Sequence, residues 1–431
     1  MRITIISSAT GPNPARDKLR TIVLIWLGWA VILLAYQAFA PARLPLARPD
    51  RATSFSADET GPNRHQGRPY LSGNFLNSNV AWDSEYYLSI ALNGYDDPRM
   101  RAVSPVSTAD DPKSGLQADH PTWTSLNYAF FPVYPYTMRA FAAPLGFLGL
   151  DPLAAATLAG VLISLAGALG AVVALGDLAE DDASGDGVRA GFYLLVWPAA
   201  IFLAQVYTEG FFLGLSFGAM AMVRRRNWLW AALLAVLATG TRATGGLLLI
   251  PLLWTWLEDG GIRRLRSAQW RSSVASLALC MAPVVAYLAW RIAFGAHFEQ
   301  VETRYFGRGL LKLAGTVQSI TAIGDYLIGS GPQAWAYYAV EGVAVVLALV
   351  CSAALWRRQP ALTLYGLASL AIALTSGAAL GFPRYVLVVP ALFLAPAKWG
   401  RNIAFDRIWS LGNILVLAVF ALAFSADFWV G

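Results

Sequence analysis

The sequence predicts an all-α protein, a polytopic bundle of about 11 transmembrane helices with a large polar loop after the first of them. Three observations carry this. Of the 431 residues, 57% are hydrophobic and only 13% charged, against about 25% charged in an average soluble domain. Several apolar runs are long enough to cross the hydrocarbon layer: Thr21 to Ala40, Pro152 to Leu175, Ser273 to Phe294 and Ala334 to Trp356. The Arg and Lys residues behind the formal charge of +6 stand in short clusters between these runs. They read as topology signals and not as a phosphate-tracking groove, so nucleic acid is not the expected partner and membrane lipid is.

In chain order, Arg16, Lys18 and Arg20 precede the first run. It is as long as a full span and has no small-residue cleavage site beyond it, so it reads as a retained anchor with a cytoplasmic N-terminus. Residues 41–127 then form a first extracytoplasmic loop carrying short interfacial helices, because the stretch is too long for an ordinary connection and too polar to cross. Within it, Asp50 to Arg68 is polar enough to be partly disordered. Further spans are expected at Tyr128 to Leu148, Pro152 to Leu175, Ala190 to Val223, Trp228 to Thr241, Ala243 to Leu257, Ser273 to Phe294, Ala334 to Trp356, Ala361 to Leu380, Tyr385 to Ala397 and Ile408 to Phe424. The whole chain, 1–431, reads as a single transmembrane domain.

Basic clusters at Arg224 to Arg226, Arg263 to Arg266, Arg357-Arg358 and Lys398 to Arg401 mark cytoplasmic loops. They place the Gly- and Thr-rich break at Gly240 to Gly246, the link around Arg384 and a second large loop, 295–333, on the opposite side. Ala190 to Val223 is longer than one helix and contains Pro198, which breaks helices. Crossing twice there would put the acidic loop Asp177 to Asp186 among the basic clusters, so one net crossing with a broken first half is expected.

Cys280 and Cys351 lie inside apolar runs, which indicates neither a disulfide framework nor a metal or redox pair. His65, His120 and His297 lack ligand spacing, and the pairs Asp96-Asp97, Asp110-Asp111 and Asp181-Asp182 read as solvated turns. No cofactor and no metal is expected.

Ser84 to Leu92 fits a short helix, with Asp83 placed to cap its free N–H groups and Asn93-Gly94 as its stop. Tyr86, Tyr87, Ile90 and Leu92 would rest at the membrane interface. Pro132 and Pro135 suit the start of a helix. Glu209 and Arg242 stand in otherwise apolar surroundings, where a charge costs about 2.5–3.5 kcal/mol at a helix centre. Either they snorkel to water or pair with one another, or they serve a function. Arg242 in its Gly-rich break and Arg384 on the same side offer donors to a phosphate.

Read together, Trp82-Asp83 with Tyr86-Tyr87 and Gly94-Tyr95, Phe130 to Pro135, Tyr207-Thr208-Glu209 with Phe211-Phe212, Thr241-Arg242 with Gly245, and Pro383-Arg384-Tyr385 resemble the PIG-V type of mannosyltransferase. Order and spacing match across most of the chain. That family belongs to the GT-C class of polytopic glycosyltransferases, which take a sugar from a polyprenyl phosphate. The resemblance implies a GT-C fold with an extracytoplasmic active site. Asp83 would be its essential carboxylate, Arg242 and Arg384 would bind the donor phosphate, and Trp82, Tyr86, Tyr134, Tyr207 and Glu209 would line the substrate. Its implied partners are a polyprenyl-phosphate-linked sugar and a lipid, glycan or protein acceptor. In the later loop, where the family often shows an aromatic residue and an arginine after a glutamine, Gln300, Arg304, Tyr305 and Arg308 stand without a secure match. Short loops and Ala-rich spans lean toward a bacterial inner membrane. A transporter or flippase of lipid-linked glycans also fits broken spans and intramembrane arginines, and a scaffold subunit with vestigial residues is a third reading.

Overall fold

The computed structural model describes residues 14–43, 76–106, 114–179, 185–426 and 428–430. The polar stretch Asp50 to Arg68, His65, and the pairs Asp110-Asp111 and Asp181-Asp182 lie outside the described residues.

The elements are α1 (Pro14–Arg43), α2 (Ser84–Asn93), a small sheet of β1 (Arg101–Val103), β2 (Ser114–Leu116) and β3 (Thr124–Ser125), then α3 (Val133–Leu145), α4 (Pro152–Leu178), α5 (Asp186–Val196) and α6 (Thr208–Arg224). They continue with α7 (Trp228–Thr239), α8 (Leu249–Glu258), α9 (Gly261–Leu265), α10 (Trp270–Arg304), α11 (Leu313–Ile328) and α12 (Pro332–Leu355). The chain closes with α13 (Pro360–Leu374), α14 (Phe382–Tyr385), α15 (Ala391–Trp399) and α16 (Ile403–Ser425). α1, α4, α10, α12 and α16 are long and apolar enough to cross a membrane, and α7, α8 and α13 are shorter apolar helices. The protein is an all-α membrane bundle, to which the first polar loop adds a three-stranded antiparallel sheet in the order β2-β1-β3. The expected second loop, 295–333, is largely helical, since α10 runs on to Arg304 and α11 follows.

Local chemistry explains the helix ends. Asp151 accepts from the Ala154 N–H at 2.8 Å with Pro152 in the first turn of α4, and the Asn402 side chain caps α16 at 2.9 and 3.2 Å. At Pro198 the chain bends 87° out of α5 into a 3₁₀ turn, Pro198–Ala204, because proline removes a donor and clashes with the preceding turn.

Contacts between elements locate the two ends of the bundle. Lys18 Nζ donates to the Gly176 carbonyl at 2.8 Å, Arg225 pairs with Asp177 at 2.6 Å, Arg401 with Asp186 at 2.7 Å, and Arg226 with Asp259 at 2.6 Å. Asp177 and Asp186 therefore sit at the basic end. This corrects the single net crossing expected for Ala190 to Val223: the chain leaves the basic end in α5, turns at Pro198 and returns in α6. The acidic loop belongs there because arginines neutralise it.

A second correction concerns the segment before α4. The span expected at Tyr128 to Leu148 is only the 13-residue α3, about 20 Å long and short of a bilayer core of about 30 Å. A 3₁₀ turn, Leu126–Ala129, and Pro132 consume its first residues. α3 starts in mid-bundle, where Val133 N–H donates to the Gly240 carbonyl at 2.9 Å and Tyr134 Oη to the Gly160 carbonyl at 3.1 Å.

α4 and α6 approach backbone to backbone. A Cβ on Gly167 would lie 2.4 Å from the Gly210 carbonyl oxygen, and one on Gly214 would lie 2.5 Å from the Gly167 oxygen. Small residues permit this contact, the usual device of membrane helix pairs, and it sets the height at which α6 delivers Glu209. Behind the site a buried amide network joins four segments: Gln205 donates to Gln37 at 2.9 Å, Asn79 to Gln205 at 2.9 Å, and Gln37 to Ser425 at 3.2 Å.

Candidate active site

Asp83 begins the site. The expectation that its side chain caps α2 fails: its backbone is already helical (φ −61°, ψ −20°) and its carboxylate makes no cap bond. Instead the Asp83 N–H donates to Tyr207 Oη at 3.0 Å, and Trp82 before it takes the left-handed region (φ 53°) with its ring edge-on to Trp429 at 5.1 Å. A non-glycine residue with positive φ is held there by its surroundings. The turn thereby frees the carboxylate, 24% exposed, to accept from Arg384 Nη1 at 3.1 Å.

Arg384 is fixed from several sides. Both oxygens of Glu341, on α12, accept backbone N–H groups of the turn before α14, Gly381 at 3.1 Å and Phe382 at 2.7 Å, with Gly381 at φ 86°. Trp197 Nε1 donates to the Pro383 carbonyl at 2.8 Å. The guanidinium, 4% exposed, lies 5.3–5.7 Å from the rings of Phe202, Tyr207, Tyr385 and Trp429. Aromatic faces stabilise a cation, most strongly where water is excluded.

Glu209, also 4% exposed, stands in the first turn of α6 with Oε1 3.7 Å from Arg384 Nε. The same oxygen pairs with Arg242 Nη1, which also bonds Thr208 Oγ1 at 3.3 Å. Arg242 opens the 3₁₀ turn Ala243–Leu248, in the break expected between α7 and α8. Asp83, Arg384, Glu209 and Arg242 thus form one chain of alternating charge. Two carboxylates against two guanidinium groups leave it neutral.

All four line a cavity of about 310 Å³. It is walled by aromatic residues from the polar loop and α10, Tyr87, Phe130, Phe131 and Phe298 among them, and by Glu302, Arg308 and Tyr385. Burial, then the charges of Asp83 and Glu209, hold the Tyr87 phenol above its ordinary range, so it faces the cavity with its proton on.

Of the residues expected to line the substrate, Glu209 does. Trp82, Tyr86, Tyr134 and Tyr207 are packed beside the cavity and not on its wall. Tyr86 stacks on Phe130 at 4.6 Å, Tyr134 bonds Gly160 and Ser164, and Tyr207 orients Asp83. Tyr86, Tyr87 and Ile90 are buried in the protein and not laid on a membrane interface, because the loop folds back over the bundle. His297 stacks on Tyr128 and His120 on Trp123. Cys280 and Cys351 are buried and free, and among the described residues no three His, Cys, Asp or Glu side chains group as metal ligands.

Sequence reasoning named Tyr87 and Tyr385 in its motifs without giving them a place on the cavity wall, missed Glu302 and Glu341, and left Arg308 without a place. A glutamate in mid-run is a signal in its own right, and Glu341 carried it. Gln300, named with Arg308, accepts from Thr124 at 3.0 Å and ties α10 to the sheet, and Arg304 reaches the Ser104 carbonyl at 3.5 Å.

No family model matches the chain, and no curated protein does. Among solved structures it is similar to the archaeal oligosaccharyltransferase AglB from Archaeoglobus fulgidus, in complex with an inhibitory peptide and a dolichol-phosphate, at 13% identity and a TM-score of 0.41. The match covers 94% of this chain and 56% of that one, so this chain spans a little over half the length of its neighbour. With a superposition this loose, the functional reading rests on the chain's own side chains.

Proposed function

We propose that the protein is a glycosyltransferase of the GT-C class, resembling the PIG-V type, that moves mannose or a related sugar from a polyprenyl-phosphate donor to an acceptor hydroxyl. The supporting observation is the Asp83 carboxylate. It is turned away from its own helix, held by Arg384, and opens on a cavity beside Glu209 and Arg242.

In the proposed reaction the acceptor oxygen attacks the anomeric carbon while the bond from that carbon to the phosphate oxygen breaks, inverting the centre. Asp83 receives the acceptor's proton, and the electron pair leaves with the polyprenyl phosphate. Phosphate departs without a general acid, so one carboxylate suffices where glycosidases need two. Arg384 and Arg242 each keep donors beyond their ion pairs, since a guanidinium has five N–H groups. Those donors face charge developing on the departing group. With the basic clusters cytoplasmic, the cavity opens extracytoplasmically, and a bacterial inner membrane is the proposed location.

The test is Asp83→Asn, assayed for sugar transfer in membranes with a polyprenyl-phosphate mannose donor. Loss of a positioned base should cost about 10²–10⁴-fold in rate, and undiminished transfer would overturn the assignment. A glycan flippase would instead move labelled lipid across proteoliposomes with no chemical change.

A further inference from the structure

The cations facing the cavity are not equivalent. Arg384 and Arg242 are answered by Asp83 and Glu209. Arg308 is not: among the described residues no carboxylate lies within ion-pair distance of it and its guanidinium makes no hydrogen bond. Its ring contact is with Phe306 at 5.8 Å. Asp83, Glu302, Arg384 and Tyr385 are within electrostatic reach.

Its stem is nevertheless fixed. Arg308 N–H donates to the Glu302 carbonyl at 2.7 Å, Gly309 N–H to Ser376 at 2.9 Å and Lys312 N–H to Thr375 at 2.8 Å, which sews the 307–312 segment to the 375–377 segment. Lys312 Nζ donates to the Gly307 carbonyl at 3.1 Å, and Gly307 takes φ 67° to make the turn. A half-buried guanidinium on a braced backbone, pointed at a cavity and with no carboxylate in ion-pair contact, has donors free for a ligand anion.

We propose that Arg308 is the anion-recognition residue of the cavity, binding the lipid phosphate of the donor, while Arg242 and Arg384 chiefly hold the two carboxylates in place. This rests on the transferase reading above. The guanidinium groups of Arg384 and Arg242 are already shared with Asp83 and Glu209, so of the cavity's three arginines Arg308 is the one with all its donors open to an incoming phosphate. When the anomeric bond breaks, the phosphate gains negative charge at a group already positioned to receive it.

The experiment measures binding of polyprenyl monophosphate to the purified full chain in detergent. Arg308→Gln should weaken binding roughly 10- to 100-fold, the range of a charge-assisted hydrogen bond. Arg308→Lys should recover part of the loss. Thermal unfolding of Arg308→Gln should come no lower than that of the unaltered protein, since no ion pair is lost and an unpaired charge is removed. Unchanged affinity in Arg308→Gln, with the loss appearing instead in Arg242→Gln or Arg384→Gln, would overturn the assignment and leave the transferase reading standing. No binding by the unaltered protein would sink that reading and this assignment together.

Discussion

The Arg384 guanidinium lies 3.1 Å from the Asp83 carboxylate across 301 positions of chain, and the same guanidinium lies 3.7 Å from Glu209. One buried cation thus bridges two acids delivered by different elements, so its loss should be felt by both.

Arg384→Ala should therefore destabilise the protein by about 3 kcal/mol, the order expected when a buried pair loses one partner. Thermal unfolding in detergent reads the effect. A double-mutant cycle with Asp83→Asn should be strongly non-additive. Additive losses would mean that the two residues do not act as a pair.

Glu341 never reaches the cavity, yet it fixes the turn that aims Arg384. Glu341→Ala leaves two backbone N–H groups without acceptors, at a cost of about 2 kcal/mol. Glu341→Gln keeps one acceptor oxygen and should fall between. Transfer assays should show kcat falling more than KM rises, because in the proposed reaction the displaced group acts on the departing phosphate and not on docking. A stability loss with unaltered kcat would contradict this.

Gly167→Ala places a methyl group 2.4 Å from the α6 backbone. Overpacking of this kind costs about 1–3 kcal/mol, and pushing α6 away also shifts Glu209. A lowered unfolding temperature together with lowered transfer is expected, and neutrality in both would show that α4 and α6 pack less closely than described.

Burial and the charges of Asp83 and Glu209 raise the Tyr87 pKa above its ordinary value, and burial raises that of Tyr95 in the same loop. A raised folded-state pKa gives stability that is complete below the unfolded value, about 10 for tyrosine, and is lost as pH climbs through the folded one. The protein should thus lose stability above about pH 10. Tyr87→Phe should flatten that alkaline slope without altering stability's pH dependence near neutrality. A slope as steep in the variant would remove Tyr87 from the account.

The chemistry of the site was more legible than its path through the membrane. Glu209, Arg242 and Arg384 stand out because ionisable groups in apolar runs are expensive, and the structure brings them to Asp83. Hydropathy cannot tell a mid-bundle helix from a spanning one, so α3 was read as a crossing. A charge count could not show that Asp177 and Asp186 are matched by Arg225 and Arg401. The aromatic residues Trp82, Tyr86, Tyr134 and Tyr207 belong to the right neighbourhood, but residue type does not separate a ring that touches ligand from one that holds up the wall. Arg308 sits in a polar connection where any arginine looks ordinary, and only its missing partner marks it.

The spacing of the paired charges also orders the protein's birth on the ribosome. Glu209 and Arg242 are 33 positions apart on neighbouring helices, so they can neutralise each other as soon as that hairpin is inserted. Asp83 has to wait for 301 further residues, roughly 15–60 s at translation rates of about 5–20 residues per second. Throughout that interval Asp83 is without the guanidinium that holds it, and the cavity is complete only once α14 has brought Arg384 to it.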